Sequence, residues 1–119
     1  MNVNNEPKWV DFESTGEFTG EKYFGRFCIK PYLTNAERAD VARLAETYCR
    51  GITEDATQRG FLTTLAFLKF HLVETDAKWW VNSGLDMFDE APAYALAAKV
   101  SEVQKPKKAE EKSEGLTKS

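Results

Sequence analysis

One histidine and a group of acids are the residues of this sequence whose chemistry could serve catalysis or metal binding. His71 is the single histidine, and Asp86, Asp89 and Glu90 follow it along the chain. The acids lack the loop pattern and the glycine of an EF-hand, and the residues around His71 lack the local spacing of a catalytic triad. Carboxylates before a helix more commonly complement its positive N-terminus. An enzyme or metal protein that uses His71 with Asp86 and Asp89 is therefore a minor alternative, and we expect neither catalysis nor a cofactor.

The cysteines and glycines form no stronger motif. Cys28 and Cys49 are far apart and lack CxxC spacing, so we expect two reduced, mostly buried thiols. The segment STGEFTGE precedes a predicted strand and matches neither the GxGxxG nor the P-loop pattern of phosphate-binding loops. These residue types favour a protein whose function is an interaction.

Length and composition predict one small, soluble, non-secreted domain. The chain has 119 residues, 42% of them hydrophobic, and a formal net charge of -3. This size allows one hydrophobic core, and the acidic balance argues against a nucleic-acid partner. The first residues, MNVNNEPK, lack a signal-peptide pattern. The longest apolar stretch, residues 61–73, is far shorter than the roughly 20 residues of a membrane span.

The N-terminal part predicts a β-hairpin. Residues 9–12 are apolar in part, and residues 23–30 alternate between two faces as a half-buried strand does. Gly16 and Gly20 bracket the predicted turn. A hairpin alone is marginally stable, so it needs a further surface, and its edge is available to a neighbouring copy.

Three helices are predicted after the hairpin. Thr34 and Glu37 match the capping box T-x-x-E at the start of the first. The second is predicted from near residue 53 or 55 to Glu74, and the third from Asp89, as its N-cap, to about Val103.

The second helix has a broad apolar arc and one apolar exception on its polar side. Phe67 projects into that polar side, together with Thr63, Thr64, His71 and Glu74. An apolar residue there is either a partner contact or an ordinary exposed side chain, and the sequence favours neither.

These elements together predict an α+β fold with an N-terminal β-hairpin, a three-helix core and a disordered C-terminal tail. Residues 1–8 are predicted to be a flexible N-terminus and residues 9–104 a single small domain. Residues 105–119, KPKKAEEKSEGLTKS, have almost no apolar content and are predicted to be a disordered charged tail.

A tryptophan pair and a methionine complete the candidate contact residues. Trp79 and Trp80 are adjacent, so they cannot lie on the same side of a helix or a strand. We expect one ring to anchor the third helix against the second and the other to face a partner, although burial of both rings in the monomer stays open. Met87 suits a groove that accepts varied sequences. The candidate partner-binding residues are Phe67, Trp79, Trp80 and Met87.

Short motifs follow one another in a characteristic order through residues 18–103. They are Thr19-Gly20-Glu21, Gly25 with Phe27, Leu33-Thr34, Trp79-Trp80, Ser83-Gly84-Leu85-Asp86 and Asp89. In this order they resemble the tail assembly chaperones of long-tailed, siphovirus-type bacteriophages, and the double tryptophan with its Gly-Leu-Asp turn is the most specific part. The family often has Pro before the double tryptophan and Asn after the last Asp, where this chain has Lys78 and Glu90.

The resemblance implies a non-enzymatic chaperone that coats the tape measure protein in the host cytoplasm while the tail tube polymerises, and that is absent from the mature virion. It also implies a longer form made by ribosomal frameshifting. A tape measure protein is long and helical, which favours helix-in-groove binding, and self-association as a dimer or helical array along it is a further expectation. The alternative is a virion structural component, such as a tail-completion or connector protein.

Overall fold

The chain folds as a three-stranded antiparallel sheet with three α-helices, in a computed structural model that describes residues 4–104. The elements in chain order are β1 (Lys8–Thr15), β2 (Lys22–Ile29), α1 (Asn35–Tyr48), α2 (Ala56–His71), β3 (Leu72–Thr75) and α3 (Ala91–Gln104), and a short 3-10 turn (Asn82–Gly84) precedes α3. The predicted α+β fold is confirmed. The predicted disordered tail, residues 105–119, lies outside the described residues.

The predicted hairpin is present with a regular register. β1 pairs with β2 from Lys8 opposite Ile29 to Thr15 opposite Lys22. Gly20 lies in the turn with φ of 76°, a left-handed conformation that glycine adopts without a steric penalty. The predicted capping box also forms at the start of α1, where Thr34 Oγ1 accepts a hydrogen bond from Glu37 N and Thr34 N donates to Glu37 Oε1.

The second helix is shorter than the sequence predicted. α2 ends at His71, and the residues expected to continue it to Glu74 form β3, which pairs with the second edge of β2. Lys30 N donates to the His71 carbonyl at the junction of helix and strand. An open strand edge leaves backbone groups without partners, and the segment Leu72–Thr75 contains two β-branched residues that suit a strand. The need to pair the edge of β2 therefore outweighs the helical periodicity.

The core lies between the inner face of the sheet and helices α2 and α3. Its fully buried side chains include Phe27, Ile29, Leu65, Leu68, Leu96 and Val100. The first helix packs chiefly against α2 and stands outside this core. Within residues 4–104, none of the helices has the length and apolar character of a membrane-spanning segment.

Truncation of a core leucine tests this packing. Leu68→Ala should lower the free energy of unfolding by about 2–5 kcal/mol, because Leu68 is completely buried and its loss leaves a cavity. Leu85→Ala is the matched control, since Leu85 is among the exposed apolar residues, and it should cost less than about 1 kcal/mol. Urea denaturation followed by circular dichroism measures both values. Equal losses in the two variants would contradict the position assigned to α2.

Candidate functional site

Both tryptophans lie in the turn region after β3, so the rule that adjacent residues of a helix or strand lie on different sides does not apply to them. The Trp79 and Trp80 rings both contact Phe27, with centroid distances of 5.7 and 6.1 Å. Trp79 Nε1 donates a hydrogen bond of 2.7 Å to the Phe24 carbonyl. Both rings are half-buried against aromatic residues of the sheet, and the anchoring of α3 against α2 by one of them stays a prediction.

A glycine makes room for the second tryptophan. Gly84 has φ of 90°, and a Cβ at this position would lie 2.8 Å from the Trp80 ring and 2.8 Å from a methyl group of Leu65. A side chain here would thus be strained both by the backbone conformation and by its neighbours. The glycine of the motif Ser83-Gly84-Leu85-Asp86 is therefore required by the structure, because the backbone passes close to Trp80 at this position.

An apolar groove opens between α1 and α2. Its volume is about 410 Å³, and we call it the Phe67 groove. The residues that line it are Tyr32, Leu33, Arg38, Val41, Ala42, Thr63, Phe67, His71 and Gln104. Phe67, Trp79, Trp80 and Met87 are all half-buried against the core, and Phe67 is the one of these four that also lines the groove.

Two helices form the walls of the groove, and the residues that line it from α2 recur at helical spacing. α2 contributes Thr63, Phe67 and His71 at positions i, i+4 and i+8, which lie on one face of a helix. Their span is about 12 Å along the helix axis, or roughly two turns. The opposite wall comes from α1, including Val41 and Ala42. The groove thus has the dimensions and the apolar character to accept side chains of a helix.

His71 forms the floor of the groove rather than part of a solvated helix face. Only 2% of the residue is exposed, and its ring centroid lies 4.3 Å from that of Phe67. Nδ1 lies 2.6 Å from the Lys30 carbonyl oxygen, beyond the end of β2. Burial lowers the pKa of His71 below its ordinary value of 6.5, which favours the neutral imidazole at neutral pH. The sequence predicted His71 on the polar side of the second helix. The residue is buried instead, because α2 ends there and the chain turns into β3 directly after it.

The residues of the alternative metal or catalytic site are not brought together. His71 bonds to the Lys30 carbonyl, whereas Asp89 bonds to the hairpin. Within the part of the chain that the structure describes, no group of three or more histidine, cysteine and acidic residues is placed to hold a metal ion.

Asp89 joins the segment before α3 to the tip of the hairpin, and it does not cap α3 as predicted. One carboxylate oxygen accepts hydrogen bonds from Phe18 N at 2.8 Å and Thr19 N at 3.0 Å. The other accepts from the hydroxyl groups of Thr19 at 2.5 Å and Tyr23 at 2.6 Å. Burial alone would raise the pKa of Asp89, but these hydrogen bonds to the charged form outweigh it and lower the pKa to about 2.

Glu17 takes the role at α3 that the sequence assigned to Asp89. Its carboxylate accepts hydrogen bonds from Glu90 N at 3.0 Å and Ala91 N at 2.9 Å, two of the amides that a helix N-terminus leaves without partners. We call Glu17, Thr19, Tyr23 and Asp89 the hairpin latch. Gly16 is required beside it, since a Cβ there would lie 2.0 Å from an Asp89 oxygen.

Sequence reasoning could not find the latch, because its two halves are about seventy residues apart. The latch also places two exposed phenylalanines on neighbouring stretches of backbone. Phe18 follows Glu17 and is 72% exposed, while Phe88 precedes Asp89 and is 83% exposed. Neither was predicted as a contact residue, and an isolated exposed apolar residue is not unusual.

Comparison of the chain with protein-family models, with curated proteins and with solved structures gave no match. The resemblance to tail assembly chaperones therefore stays a prediction from the sequence.

The latch can be tested through the pH dependence of stability. The pKa of Asp89 is depressed in the folded state, so its stabilising effect is present above the ordinary value of 3.8 and is lost as the pH falls towards 2. Asp89→Asn should lower the melting temperature at pH 7, and the gap to the unmodified protein should shrink between pH 4 and pH 2. Asp86→Asn, at an exposed acid three residues away, should leave the melting temperature nearly unchanged. A gap that is constant with pH would contradict the charged latch.

Proposed function

We propose that this protein is a non-enzymatic tail assembly chaperone of a long-tailed bacteriophage, which binds the tape measure protein, keeps it soluble and guides polymerisation of the tail tube. Its place of action is the host cytoplasm, and it leaves before the virion matures. The observation that carries the proposal is the Phe67 groove, an apolar concave surface between two helices in the part of the chain that the structure describes.

The groove matches what a helical client requires. A helix presents apolar side chains at i, i+3 or i+4 and i+7, which enter an apolar groove about two turns long. Arg38 is the charged residue among the described residues of the lining, so an acidic residue beside the client's apolar stripe would be favoured. A groove of this size supports modest affinity, and many copies along one client gain strength through avidity. Modest affinity per copy also suits a chaperone that is displaced later.

The residues that carry the family resemblance have structural roles that are compatible with this proposal. Thr19 and Asp89 belong to the hairpin latch, and Gly84 allows the backbone to pass Trp80. These contacts hold the sheet, the turn and α3 together, and they leave α1 and α2 to form the groove. In this proposal Phe67 contacts the client directly. Partner binding by Trp79, Trp80 and Met87 stays a prediction.

Self-association is the remaining part of the proposal. β2 lies between β1 and β3, so the outer edge of β1 is available for pairing with another copy. Asp11 and Glu13 are exposed on this strand, and like charges placed opposite each other would oppose symmetric pairing at that register. Contacts between copies along the client are expected to be weaker than client binding itself.

A charge placed in the groove tests the proposed function. Ala42 is exposed and lines the groove, so Ala42→Glu introduces a carboxylate without disturbing the core. Co-elution with the tape measure protein encoded downstream should fall by about tenfold or more, because apolar contact would desolvate the new charge. Ala39→Glu is the matched control, since Ala39 is exposed on the same helix but does not line the groove.

The measurement is co-expression followed by affinity purification and sedimentation of the client. We expect the client to be soluble with the unmodified protein and with Ala39→Glu. With Ala42→Glu we expect it to be insoluble. A client that is indifferent to this chain, together with detection of the chain in purified particles, would support the virion component and overturn the chaperone.

A further inference from the structure

One nitrogen on the floor of the Phe67 groove has no hydrogen-bond partner among residues 4–104. Among residues 4–104, the His71 ring is hydrogen-bonded through Nδ1 alone. In the same part of the chain, no buried side-chain nitrogen or oxygen lacks a partner. Nε2 is therefore the part of this almost completely buried side chain that reaches solvent, and it does so through the groove that the ring lines.

The neighbouring carbonyl decides which chemical form Nε2 takes. The Lys30 carbonyl oxygen can only accept, so Nδ1 carries the proton and donates it across the 2.6 Å contact. In the neutral ring, Nε2 then has a free lone pair and acts as an acceptor. The position of the acceptor is fixed, because the ring is held between this hydrogen bond and Phe67.

Three other polar groups of the lining already donate hydrogen bonds within the protein. Gln104 Nε2 donates to the Pro31 carbonyl at 2.8 Å, and the Thr63 hydroxyl donates to the Arg59 carbonyl at 2.8 Å. The Tyr32 hydroxyl likewise donates to the Gln104 carbonyl at 2.8 Å. These three groups are directed to backbone carbonyls and not to the lone pair of His71, so an apolar occupant that covers Nε2 has to supply the donor itself.

We propose that His71 is a specificity-determining residue of the Phe67 groove: its Nε2 accepts a hydrogen bond from a serine or threonine hydroxyl within the apolar face of a bound client helix. This rests on the proposed function in that the occupant is a helix of the tape measure protein. A purely apolar helix would remove Nε2 from water without replacing its hydrogen bond, which costs more than the bond itself contributes. The groove thus discriminates against helices that are apolar throughout, and Arg38 at its wall favours an acidic neighbour on the client.

The test uses two synthetic amphipathic peptides and the full chain. Both peptides carry leucines at i, i+4 and i+7 and one flanking glutamate, and they differ only in serine or alanine at the centre of the apolar face. Fluorescence anisotropy gives the four dissociation constants for the unmodified protein and His71→Asn. Asparagine keeps a side-chain N–H near the position of Nδ1 but has no atom at the position of Nε2.

The expected result is a double-mutant cycle with a coupling of about fivefold, the size of one neutral hydrogen bond. The ratio of the affinity for the serine peptide to the affinity for the alanine peptide should be larger for the unmodified protein than for His71→Asn. The cycle removes the difference in helix propensity between serine and alanine, because that difference is the same for both proteins.

A second measurement needs no substitution at this buried site. His71 is the single histidine of the chain, so ¹⁵N labelling of histidine gives one pair of ring signals. The Nε2 signal should move more with the serine peptide than with the alanine peptide, while Nδ1 remains protonated. An Nε2 signal that responds equally to both peptides would overturn the proposal even if His71→Asn does not fold.

The outcomes separate this inference from the proposed function. Loss of tape measure binding in Ala42→Glu without any serine preference would leave the chaperone standing and overturn the role of His71. A His71-dependent serine preference with no binding of the tape measure protein would overturn the chaperone and leave the role of His71 in the groove standing. Binding of either peptide only after removal of residues 105–119 would show that the chain's own C-terminal segment occupies the groove, and this would overturn the proposal.

Discussion

The carboxylate of Asp89 accepts hydrogen bonds from two backbone amides and two hydroxyl groups of the hairpin, and these bonds join the segment before α3 to the sheet. Glu17 returns the interaction by accepting from the first amides of α3. A two-stranded hairpin is marginally stable alone, so this exchange of caps fixes the sheet to α3 at one end. Burial of a charge is tolerated here because each oxygen receives two hydrogen bonds.

The arrangement leaves one helix on the outside of the core. α3 and the aromatic cluster around Phe27 cover the inner face of the sheet, and α1 rests chiefly on α2. The side chains between α1 and α2 therefore pack less completely than those of the core, and the Phe67 groove is the result. His71 links the two regions, since it ends α2, bonds to the backbone beyond β2 and forms the groove floor. The proposed function follows from this incomplete packing.

Local signals were sufficient for most of the fold. The alternation in residues 23–30 and the pair Thr34 and Glu37 predicted the hairpin and the start of α1, because such patterns act within a few residues. The end of α2, the role of Asp89 and the burial of His71 depend on partners far along the chain, and no spacing in the sequence encodes them. Phe67 was found as an anomaly on a polar helix face, but its groove depends on how α1 packs.

The most direct test of the central claim is an NMR titration of the ¹⁵N-labelled protein with fragments of the tape measure protein. The account predicts that the backbone signals that move are concentrated around Ala42, Thr63 and Phe67, while those of Phe18 and Phe88 stay in place. Movement confined to Phe18 and Phe88 would place the client on the exposed aromatic residues beside the hairpin latch, and it would contradict the assignment of the groove.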